Sequence, residues 1–170
     1  MNPFFNFLMS VQNGPVGTYI RESDFAFPTL ESIHVVFLTI VFGSIILLDL
    51  RLTGLAFKDR TVSAVTRDVM NFVWFGFAGA AISGLTLYSS YAYKYSQDPP
   101  TLIKFGAMAL AGINMLAYEL LVHPTIGTWD KSAKPPVRAR VAGWISIVLW
   151  VTVIFAGRWI GFTTQDQNGG

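Results

Sequence analysis

No cysteine occurs among the 170 residues, which excludes disulfides, thiolate metal sites and cysteine-held iron–sulfur clusters. Charge is almost as scarce. Asp, Glu, Lys and Arg together make up 13% of the chain, against the roughly 25% usual in a soluble domain. The net charge of +2 is too small, and too confined to connecting segments, to point to nucleic acid as a partner. There are only two histidines, His34 and His123. No phosphate-binding glycine loop, nucleophile elbow or HExxH zinc motif is present. What the chain does contain is apolar: 52% of its residues are hydrophobic and 15% aromatic, with a mean hydropathy of +0.48.

The apolar residues fall into four runs, each long enough to cross about 30 Å of hydrocarbon as a helix. They predict an all-α fold, a single transmembrane domain over 1–170 with spans at about 30–52, 71–88, 102–121 and 141–160. Pro99-Pro100 should break the chain before the third span and Pro135-Pro136 before the fourth. The aromatic-rich start, Met1 to Met9, is too short to span and reads as an interfacial segment. It has no basic region and no small-residue cleavage motif, so it does not read as a cleaved signal. The tail from Gln165 to Gly170 is polar and unpatterned.

Basic residues set an expected orientation. Arg51, Lys58, Arg60 and Arg67 mark the first loop and Lys131, Lys134, Arg138 and Arg140 the third, whereas the second has only Lys94. The positive-inside rule then places loops one and three in the cytoplasm and both termini outside. Tyr88, Tyr91, Tyr93, Tyr95 and Trp159 would form an aromatic belt at the outer interface. Gly76, Ala80 and Gly84 recur every fourth residue on the second span, a face that admits a neighbouring helix at close range, widened by Gly79 and Ser83. Gly106, Ala107, Ala111 and Gly112 on the third span, and Ala156 and Gly157 on the fourth, are expected to do the same. Intramolecular packing accounts for these residues, and a homo-oligomer seam is compatible with them.

Ionisable groups inside hydrocarbon are costly, so they carry most of the functional information. One group lies at the outer end: Glu31 and His34, on one helix face by their i, i+3 spacing, with Lys104 and Arg158 at the same depth. Such a set can neutralise itself, or cradle an anionic head group, a quinone carbonyl or a metal. Lys104 and Arg158 can also reach the interface on their long stems. The inner group comprises Asp49, Arg51, Arg67, Asp68, Asn71, Glu119 and His123. Glu119 and His123, at i, i+4, have a spacing that can chelate a metal, and Asp49 could approach them. A salt-bridge network at the inner interface is the simpler reading. Asn114 should hydrogen-bond across to a neighbouring helix. The two histidines are placed at opposite ends of the bundle, which leaves no bis-histidine haem within one protomer.

The stretch IRESDFAFPTLESIHVVFLTIVFGSIILLDLRLTGL, the AGIN run ending at Asn114 and AGRWI, Ala156 to Ile160, resemble a family of small four-helix inner-membrane proteins of bacteria with no assigned function. More distantly the chain is similar to copper-resistance D-type and cytochrome b561-like membrane proteins. That similarity implies a four-helix membrane bundle and histidine ligation of haem b, copper or another metal ion. Where those proteins carry a third-span histidine about five residues after the Asn, this chain has Glu119. The leading expectation is a redox-, metal- or haem-associated protein of the bacterial inner membrane. Its cofactor-binding set would be His34, Glu31, Lys104 and Arg158, with Glu119 and His123 as a second metal-ligand pair. A non-catalytic accessory subunit of a larger membrane complex and a small metal-ion or anion transporter are the rivals.

Overall fold

Residues 3–165 are described by the computed structural model. Met1, Asn2 and residues 166–170, and so the two termini and most of the polar tail, lie outside the described residues. The elements in chain order are α1 (Pro3–Gln12), α2 (Pro15–Glu22), α3 (Ala26–Thr53), α4 (Val62–Ser90), α5 (Ala92–Tyr95), α6 (Pro99–Leu121), a 3-10 turn (His123–Thr128) and α7 (Val137–Gln165). Helices α3, α4, α6 and α7 are each long and apolar enough to cross a membrane. The N-terminal segment forms two short helices, α1 and α2, that lie against α5 and α4 respectively.

All four long helices reach beyond the apolar runs, because local caps rather than hydropathy set their ends. The Thr61 side chain caps α4 by accepting from the Ala64 N–H at 3.1 Å. That cap starts α4 at Val62, so Arg67, Asp68 and Asn71 lie on the helix and not in a loop. Arg51 likewise lies within α3, which ends at Gly54. Gly54 has a φ of 75°, a left-handed conformation that glycine adopts freely, and its N–H bonds back to Leu50 and Arg51 carbonyls. Asp98 caps α6 through the Thr101 N–H at 3.0 Å. Pro99 and Pro100 therefore begin α6 rather than precede it, since the first turn of a helix needs no donor from them.

Helix α3 is flanked by α4 on one side and α7 on the other, and α6 packs along α7. Small residues permit these approaches. A Cβ on Gly76 would lie 2.9 Å from Val41 Cγ2, Gly79 sits beneath the Phe37 ring, and Ala80 is buried. On α6 the seam is narrower than the sequence suggests. Ala107 and Ala111 are buried, whereas Gly106 and Gly112 face open space. Near the Arg51 end, Leu52, Val62, Val122, Trp129 and Ala139 form a buried cluster that joins α3, α4, α7 and the connection after α6. Outward faces carry Phe72, Trp74, Phe75, Ile82, Leu116 and Phe155, all exposed on the isolated chain. A bilayer would cover them.

Candidate functional site

His34 enters the α3–α4 seam where α4 is pared down to glycine: a Cβ on Gly84 would stand 2.8 Å from the ring's Cε1. The imidazole Nδ1 lies 2.9 Å from the Ser83 hydroxyl, and the Ala80 carbonyl is also within reach of the ring. Ser83 already donates to the Gly79 carbonyl at 2.6 Å, the usual back-bond of a helical serine. With that hydroxyl proton committed, Nδ1 carries the proton and donates to Ser83 Oγ. Nε2 then presents a lone pair, and among the described residues no hydrogen bond is made there.

Lys104 of α6 is close enough to His34 to interact electrostatically. Its half-buried stem passes the backbone of α7, with Nζ 3.6 Å from where a Gly157 Cβ would stand. No carboxylate lies within ion-pair distance of it: among the described residues the only such pairs are Arg60–Asp68 and His123–Glu119. Helices α4 and α6, which carry Ser83 and Lys104, do not pack along their lengths. They meet through the Tyr88 and Phe105 rings, whose centroids are 5.9 Å apart.

The other members of the expected outer set stand apart from this pair. Glu31 is exposed and makes no hydrogen bond or ion pair with His34. Its charge is felt by Tyr95, the buried centre of an aromatic group with Tyr88 and Tyr91. Burial first, then Tyr91, Glu31 and Asp98, push the Tyr95 phenol well above its ordinary value. Arg158 is exposed and lies over the Phe162 ring, 5.7 Å from its centroid. Trp159 also contacts Phe162, at 6.5 Å.

At the opposite end, Glu119 Oε1 and His123 Nδ1 approach to 3.6 Å, both substantially exposed. Asp49 does not join them; it is buried beside Ser146 of α7. Arg60 pairs with Asp68, while Arg67 and Asn71 are exposed. Among the described residues no three His, Asp or Glu side chains gather as a metal-binding group. Asn114 donates to the Ala142 carbonyl of α7 at 3.0 Å, the interhelical bond expected of it.

Two roles were not legible in the sequence. Ser83 reads as one more small residue of a packing face, yet it fixes the imidazole. Arg51 reads as an interfacial charge, yet it is 0% exposed. Its Nε donates to the Arg60 carbonyl at 2.6 Å and its Nη2 to the carbonyls of Asp130 and Ser132 at 3.2 and 2.9 Å. Its position just before Gly54 was the available signal, because a helix end brings loop carbonyls within a guanidinium's reach.

The fold thus defines a multi-pass membrane protein of four helices with a polar pair, His34 and Lys104, set among them near one end. The chain belongs to a family of unknown function, DUF6644, whose model matches residues 13–163. No curated protein and no solved structure matches it.

Proposed function

We propose that the protein is redox-associated, binding a lipophilic quinol or quinone of the membrane pool between His34 and Lys104. The observation that carries this reading is the pairing of a free imidazole lone pair with an ammonium that has no carboxylate partner. A quinol hydroxyl can donate to Nε2, and the carbonyl of the oxidised form can accept from Lys104 Nζ. A haem iron, copper or other metal ion fits less well, because among the described residues no group of three ligand-type side chains gathers here and the neighbouring ammonium repels a cation.

The same reading places the protein in the bacterial inner membrane with the His34 end outward. Lys58, Arg60, Lys131, Lys134, Arg138 and Arg140 mark the Arg51 end, where the positive-inside rule puts the cytoplasm. One observation favours the accessory-subunit alternative: Gly106 and Gly112 leave an outward face of α6 that a further helix could approach closely.

Purified protein is extracted with organic solvent and assayed for quinone, alongside its visible spectrum and metal content. Wild type should carry or take up quinone, and His34→Ala and Lys104→Met should each weaken uptake about tenfold or more, the loss of one charged or buried hydrogen bond. A haem band or stoichiometric metal lost with His34→Ala would return the site to the metal reading. Uptake unaltered in both variants would remove the site.

A further inference from the structure

The Arg51 end of the bundle contains a second polar feature, independent of the His34 pair. Asp49 lies on α3 where that helix meets α7, and it is 4% exposed. Its Oδ2 has no hydrogen-bond partner. The carboxyl lies beside the Ser146 side chain of α7. The approach here is tight: Gly143, one turn before Ser146, would place a Cβ 3.1 Å from the Asp49 carbonyl oxygen. The same turn of α7 is held from its other side by Asn114 of α6, bonded to Ala142.

Among the described residues nothing balances a negative charge at this position. On α3, Arg51 gives its Nε and Nη2 to the carbonyls of residues 60, 130 and 132, its Nη1 has no hydrogen-bond partner, and it makes no ion pair with Asp49. Arg138 and Arg140 in the first turn of α7 make none either, and α6 with the turn after it offers Tyr118, Glu119 and His123, of which Glu119 and His123 pair with each other. On α4, packed against the other side of α3, Arg67 is exposed and Asp68 is held by Arg60. An ionised carboxylate buried without a partner costs several kcal/mol or more, and binding a proton is the least costly remedy.

We propose that Asp49 is a proton-binding site inside the membrane-spanning bundle, with its carboxyl neutral and its proton directed to Ser146 Oγ. Ser146 can accept there while its own hydroxyl proton turns back along α7. The oxygen left without a partner is then a carbonyl-type acceptor, far cheaper to bury than half of an anion. Release of the proton leaves a charge that the α3–α7 seam cannot accommodate as packed. Water or a cation must then enter between the helices, so the protonation state of Asp49 is coupled to how closely they pack.

Infrared spectroscopy of the full chain in lipid reads this directly, through the C=O stretch of a protonated carboxyl. The wild-type spectrum at neutral pH should show such a band, shifted in heavy water and lost at alkaline pH. Asp49→Asn, which keeps the shape without the acid, should abolish it. Ser146→Ala should move it to higher frequency by removing the hydrogen-bond acceptor, which assigns the band even if Asp49→Asn does not fold. Absence of the band from wild type, its persistence in Asp49→Asn, or its indifference to Ser146→Ala would each overturn the proposal. So would a melting temperature that rises with sodium in wild type but not in Asp49→Asn, which would make a metal cation the ligand.

Discussion

Tyr95 is buried in α5, ringed by Tyr88 and Tyr91 and within the field of the Glu31 and Asp98 carboxylates. Its ordinary pKa is 10.0 and the folded value is higher, so the sign of its linkage is fixed. Below pH 10 the phenol is protonated in folded and unfolded chains alike. As pH rises beyond that, the unfolded chain releases this proton while the folded chain keeps it, and stability falls. Melting followed in detergent from pH 9 to 12 should show this alkaline loss, and Tyr95→Phe should reduce it. An unchanged profile would mean that Tyr95 titrates like an exposed phenol. Single residues were unevenly legible. Asn114 declared its interhelical bond because an amide in mid-span has few other outlets. Arg51 and Asp49 did not, because their partners are backbone carbonyls and a serine that no spacing rule links to them.

Helix identity was legible because hydropathy alone separates a span from a loop, and the four-residue recurrence of Gly76, Ala80 and Gly84 marked the face of α4 that meets α3. Helix ends were not, since Thr61, Asp98 and Gly54 act through caps only a residue or two long. The same locality hid the outer set's division. Glu31 and His34 share a turn of α3, yet His34 enters the seam and Glu31 stays exposed. The α3–α4 contact makes a sharp prediction. Ala80 is buried between two positions where even a Cβ would crowd its neighbours, so Ala80→Leu should destabilise the bundle by about 1–3 kcal/mol. Leu85→Ile, on an exposed face, should cost less than about 0.5 kcal/mol. Thermal melts of the two variants in detergent test this. Equal melting temperatures would show that the α4 face does not pack on α3.

For the whole molecule, the proposed orientation is open to a direct test because the chain has no native cysteine. Asp59→Cys, Gln97→Cys and Ala133→Cys each place a thiol at an exposed position without altering the basic residues. In intact cells an impermeant maleimide should label position 97 and spare 59 and 133. The opposite pattern would invert the protein in the membrane. The order α4, α3, α7, α6 across the bundle could not be read from the sequence, because apolar helices of similar length fit beside one another in several ways. It matters for biogenesis. The guanidinium of Arg51 rests on one acceptor in the first connection, Arg60, and two in the third, Asp130 and Ser132. When α3 and α4 have just left the ribosome, the last two acceptors have not been made. Water must then stand in for those two acceptors at the guanidinium. Synthesis through Ser132 supplies the missing carbonyls, so the Arg51 end of the bundle can close only after α6 has been made.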